Sequence, residues 1–103
     1  MKTWFAVRLL FRSRIDGKEI ESPLCEESIR LVQASNEDEA LSRAATLGQA
    51  EEHEYTNEAG ETVSWKFDAV LEVQDLCESE LREGMEVFSR LFRDSEATPR
   101  SDA

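Results

Sequence analysis

From Thr3 to Ile15 apolar side chains recur at every second position. Phe5, Val7, Leu9 and Phe11 fall on one side, and Trp4, Ala6, Arg8, Leu10 and Arg12 on the other. A period of two predicts a strand, with the second, amphipathic side partly wet. Asp16-Gly17 follows, a pair that tolerates the positive φ angles of a hairpin turn. The return arm, Lys18 to Leu24, is a weak strand, because Pro23 has no N–H to give to a ladder and marks an edge, bulge or break. The strand pattern resumes over Glu27 to Ser35, with Ile29 and Leu31 on one face and Val32 and Ala34 free to pack or pair.

The period then lengthens. Ala40, Leu41, Ala44 and Leu47 form a narrow apolar stripe at helical spacing, small enough for close packing on a sheet. Ser35 or Asn36 caps this helix, with Asp38 or Glu39 three residues on. Glu37, Asp38 and Glu39 place negative charge at the positive end of the helix dipole. Gly48 offers a left-handed stop, with a further irregular turn through Ala50 as the alternative. A second hairpin follows: a strand around Glu54 to Thr56, turn formers Asn57 and Gly60, and a long strand from Thr62 to Val73. In that strand Val63, Trp65, Phe67, Ala69, Leu71 and Val73 alternate onto one face, which predicts a central strand that buries Trp65, Phe67 and Leu71. After an acidic connection, Gly84 to Phe92 fits either period. As a strand, Val87 and Leu91 oppose Phe88 and Phe92; as a helix, Met85, Phe88 and Leu91 or Phe92 align. Val87 and the aromatics favour the strand. Residues 94–103 read as a polar, disordered tail. The order of elements predicts one α+β domain over residues 1–93, with a single mainly antiparallel sheet of four to five strands and one helix packed on one face.

Four stretches in this order, "WFAVRLLF", "SIRLVQASNEDEAL", "LGQAEEHEYTNEAGETVSWKF" and "EGMEVFSRLF", resemble the DUF4288 family of small bacterial proteins of unknown function. The resemblance runs from about Trp4 to Phe92. It implies a small bacterial α+β protein and brings no activity and no catalytic residues.

Composition narrows the partner class. Against 12 Lys and Arg stand 23 Asp and Glu, a net charge of −11 in 103 residues. A field of that sign repels nucleic-acid phosphates and anionic lipid heads, so neither nucleic acid nor membrane is expected as a partner. A basic protein or a cation suits it, although acidity for solubility alone explains the same composition. Cys25 and Cys77 have no metal-ligand spacing and are expected as free thiols. The amino-terminal apolar run is interrupted by Arg8 and lacks a small-residue cleavage site, and no stretch reaches the length of a membrane span. The expected location is the cytoplasm.

The chain's one histidine and one tyrosine, His53 and Tyr55, sit among carboxylates. In an extended segment these two share one side while Glu52 and Glu54 share the other. A lone histidine supplies one metal ligand and zinc needs three more, so no metal and no cofactor is expected. A Cys25 or Cys77 nucleophile would need His53 beside it as base, and no glycine-rich phosphate loop or nucleophile elbow occurs. Trp4 and Trp65 are core aromatics by their strand positions, or an interaction patch if exposed together. Arg8, Arg12 and Arg14 either pair with cross-strand carboxylates or form a basic strip that meets the acidic face of a second copy, giving a homodimer. The candidate partner-binding residues are Glu51, Glu52, His53, Glu54, Tyr55 and Glu58, set against a purely structural corner. With no catalytic residues to assign, the expected function is a non-enzymatic protein-binding module, in its sharpest form an immunity- or antitoxin-like inhibitor of a basic partner. The alternative is a small-molecule-binding or regulatory accessory domain with a pocket between helix and sheet.

Overall fold

The computed structural model describes residues 1–96. Strands β1 (Thr3–Ile15), β2 (Cys25–Ala34), β3 (His53–Thr56) and β4 (Thr62–Asp75) and helix α1 (Glu37–Ala50) form an α+β unit. The strands make one antiparallel sheet in the order β2-β1-β4-β3. The two longest strands therefore lie inside the sheet, as the unbroken alternation of Thr62 to Val73 predicts for β4.

The apolar side of β1 is the core. Phe5, Val7, Leu9 and Phe11 cluster with Val32 and Ala34 of β2 and Ala40 and Ala44 of α1, and Leu47, Trp65, Phe67, Val70 and Val73 pack against them. Asn36 is the helix cap: its Oδ1 accepts the Glu39 N–H at 2.8 Å. Two helix expectations are corrected. Leu41 is exposed, because the buried stripe runs through Ala40, Ala44 and Gly48 at a spacing of four. Gly48 does not stop the helix, which runs on through Ala50, the alternative the sequence also offers. The glycine is buried within it, and a Cβ there would collide with the Phe67 ring, so glycine is required for close approach.

Around Asp16-Gly17 both φ angles are positive, 51° and 75°, as a primed hairpin turn needs. The return arm then leaves the ladder after one bridge, Ile15 to Lys18, and rejoins it at Cys25, two residues past Pro23. The N–H and the hydroxyl of Ser13 both donate to the Leu24 carbonyl, at 3.0 and 2.9 Å, and hold the detour in place.

The face assignment of β4 holds through Phe67 and again at Val73, and fails at Ala69 and Leu71 between them. Phe11 pairs with Phe67 but Leu10 with Ala69, and Leu9 pairs with Val70 but Arg8 with Glu72. Asp68 and Leu71 are thus bulge residues, each of which shifts the alternation by one. Val70 and Val73 take the inward places, while Leu71 is 45% exposed instead of buried. Trp65 and Phe67 are half-buried, with Phe67 edge-on to Phe11 at 6.0 Å between ring centroids.

Gly84 to Phe92 is neither strand nor helix. After β4 the chain still bonds to β1 (Leu76 N–H to Trp4 O, 2.9 Å; Trp4 N–H to Glu78 O, 2.7 Å) and turns at Arg82–Met85. It then lies across the sheet side remote from the helix, where the Arg8 guanidinium sits 4.6 Å from the Phe88 ring centroid. The strand pattern is present, but among the described residues no ladder partner meets it. Of the tail expected to be disordered, Asp94–Glu96 forms a 3-10 turn and residues 97–103 lie outside the described residues.

Candidate functional site

Strand β3 is one edge of the sheet, and all four of its residues are exposed. It is short because Asn57 ends it. The Asn57 Oδ1 accepts the N–H groups of Ala59 (3.0 Å) and Glu61 (2.9 Å), and Gly60 takes φ +79° to complete the turn. His53 lies opposite Trp65 and Tyr55 opposite Val63, so both rings project to the helix side, whereas Glu54 lies opposite Ser64 on the other. The two rings stack, with centroids 6.4 Å apart and planes 22° from parallel, and Tyr55 is 50% exposed.

The six candidate residues divide. Glu51 reaches Arg30 at 3.3 Å, tying the end of α1 to β2, and its carbonyl lies 3.1 Å from His53 Nδ1. Glu52 accepts the Phe67 N–H at 2.9 Å, extending the β3–β4 ladder by a side chain. Both carboxylates hold the corner together. Glu54 and Glu58 are exposed and have no ion-pair partner among the described residues; Glu54 lies on the sheet side opposite the stacked rings, and Glu58 in the turn that follows β3. Sequence reasoning could not separate the two pairs, since long-range partners such as Arg30 and Phe67 leave no local mark.

The arginines of β1 are each matched. Arg8 meets Glu72 at 2.6 Å, Arg12 meets Asp68 at 2.9 Å and Arg14 lies 3.8 Å from Glu19. The hydrogen bond and charge of Asp68 raise the Arg12 pKa above its ordinary value. Beneath the β1–β2 detour, Arg12, Arg14 and Lys66 line a cavity of about 350 Å³. A wider groove of about 670 Å³ separates α1 from the β2 edge and is lined by Leu31, Gln33, Arg43 and Leu47.

The thiols lie apart. Cys25 pairs with Arg12 near one end of β1, while Cys77 follows Leu76, which bonds to Trp4 at the other end. Eight residues of strand put about 26 Å between those ends, far beyond disulfide reach. Three strand spacings, about 14 Å, separate His53 from Cys25, so no Cys-His pair forms. Among the described residues, no three His, Cys, Asp or Glu side chains gather where a metal could sit, and no helix is long and apolar enough to cross a membrane.

No curated protein and no solved structure matches the chain significantly. A family model does, over residues 4–89, and its extent takes in both hairpins, the helix and the first part of the segment that crosses the open side of the sheet. The chain belongs to the DUF4288 family, a domain of unknown function.

Proposed function

We propose that this protein is a non-enzymatic binding module that docks a basic protein along the β3 edge. The observation that carries the reading is the half-exposed Tyr55, stacked on His53, on an edge strand where Glu54, and Glu58 in the turn that follows, have no ion-pair partner among the described residues. A stacked ring pair is ordered before the partner arrives, so little entropy is lost on contact, and tyrosine is enriched at binding hot spots. The net charge of −11 steers a cationic partner toward this edge and repels nucleic acid. An immunity- or antitoxin-like role in the cytoplasm of a bacterial cell is the sharpest form of this reading.

The test is capture of the partner from the native host by the tagged protein. Tyr55→Ala should lower capture at least tenfold, and Glu54→Lys with Glu58→Lys should abolish it. Wild-type capture should fall as salt rises. Glu51 and Glu52 are left intact, because their contacts belong to the fold. Capture that neither variant changes would refute the reading. The accessory-domain alternative rests on the groove of about 670 Å³ between α1 and β2. A small-molecule screen that raises the melting temperature, and whose hits lose their effect in Arg43→Ala or Leu47→Ala, would favour it.

A further inference from the structure

The other edge of the sheet is β2, a ten-residue strand, Cys25–Ala34, whose outer backbone groups have no ladder partner among the described residues. Long open edges invite pairing, and charges on them ordinarily block it. Along β2 the charges are Glu26, Glu27 and Arg30, with Ile29 and Leu31 exposed beside them and Leu24 exposed just before the strand. Residues 84–92 have the composition of a strand and no ladder. Beyond Met85, no backbone hydrogen bond ties residues 86–93 to the rest of the described chain. Leu91 is 99% exposed, and Val87, Phe88 and Phe92 are also exposed. The family match continues to residue 89 and so takes in the first six residues of this segment.

The two elements fit in one antiparallel register. With Ile29 opposite Val87, Glu26 faces Arg90 and Arg30 faces Glu86, while Leu31 meets Met85 and Cys25 meets Leu91. A shift of one residue in either direction opposes Ile29 to Glu86 or Arg30 to Val87. We propose that the outer edge of β2 receives the 84–92 segment of a second copy as its fifth strand, reciprocally, in a two-fold dimer. This inference is independent of the β3 reading.

A second copy fits better than the chain's own segment. The Arg82–Met85 turn and the 2.9 Å Glu78–Arg82 ion pair precede that segment, and its Val87 and Phe88 lie on the face of the sheet, against Ala6, Arg8, Ile29, Glu72 and Gln74, not beyond its edge. Its position there sets a cation–π contact with Arg8 against an Arg8 Nε that is buried without a hydrogen-bond partner among the described residues. Leaving the face returns that donor to water, and joining an edge satisfies a row of backbone groups.

Two experiments decide it. In a Cys77→Ser background, Leu91→Cys places a thiol opposite Cys25, where directly paired Cβ atoms lie close to disulfide range. Mild oxidation should give a product of twice the monomer mass in which peptide mapping joins position 25 to position 91. Ser89→Cys should give at most a tenth as much link to Cys25. In sedimentation, the chain should associate reversibly. Glu26→Arg should weaken association about tenfold, and adding Arg90→Glu should restore it. A link formed within one chain, a Leu91→Cys yield no greater than that of Ser89→Cys, a monomer at all concentrations, or no rescue by the double charge swap would each overturn the proposal.

Discussion

Leu9 and Leu10 are neighbours of the same chemistry in β1, yet Leu9 is fully buried against the helix side and Leu10 faces the opposite side and is only half-covered. The contrast extends over the whole sheet. On the helix side, small residues of α1 let a closed apolar cluster form. On the other side, arginines meet carboxylates and a segment without a ladder lies against Arg8, Ile29 and Glu72. One side is specified by shape and the other by charge, and the two should respond differently to the same kind of change.

The largest difference is expected at Leu9. Leu9→Ala removes a fully buried side chain among Phe5, Val7 and Phe11 and should cost about 2–5 kcal/mol. In a domain of this size that is a large part of total stability. Urea titration followed by tryptophan fluorescence measures it. Loss of less than about 1 kcal/mol, a threshold set by the ordinary range for core truncations, would mean that the helix side is not the stabilising one.

Next comes the approach of helix to sheet. Gly48→Val drives a branched side chain into the Phe67 ring and should cost about 1–3 kcal/mol, although valine is the better helix former. Gly48→Val with Phe67→Leu should recover part of the loss, since the smaller partner vacates the space. No recovery would place the cost in the helix itself and not at its contact with β4.

Most of the helix side was legible in the sequence. Period-two alternation in β1 and the 3.6 period of α1 are local signals, and both elements formed where those signals lie. The failures share a cause. Alternation carried through Asp68 and Leu71 puts Leu71 inward, but a bulge depends on what the neighbouring strand does, and β1 lies more than fifty residues away in sequence. Gly48 reads as a helix stop locally, and its true role depends on a ring in another element. Gly84 to Phe92 has the strand pattern without a partner. The candidate site was half legible: His53 and Tyr55 share a side as alternation requires, whereas the long-range contacts that separate Glu51 and Glu52 from Glu54 and Glu58 carry no local signature.

That last distinction gives a smaller effect. Glu52→Ala leaves the Phe67 N–H to water and should cost about 0.5–1 kcal/mol, a fall of several degrees in melting temperature. Glu54→Ala should stay within about 0.5 kcal/mol of wild type. Equal losses would erase the division between carboxylates that hold the corner and carboxylates that face solvent.

The smallest effect is expected at Leu71, and it bears most directly on the two sides. If β4 alternated without bulges, Leu71 would lie in the core, and Leu71→Ser would cost several kcal/mol, about as much as Leu9→Ala. With Asp68 and Leu71 as bulge residues, the side chain is already 45% exposed, and the change should lie within about 0.5 kcal/mol of neutral. Val70→Ser, one residue away and inward, should be the costly change instead. The pair is a register test that needs no structure determination: a neutral Leu71→Ser beside a destabilised Val70→Ser requires the shifted register, and the reverse order requires the regular one. Asp68 gives an independent check. Its carboxylate meets Arg12 at 2.9 Å on the side remote from the helix, so Asp68→Ala should lower stability slightly at low salt and not at all at high salt.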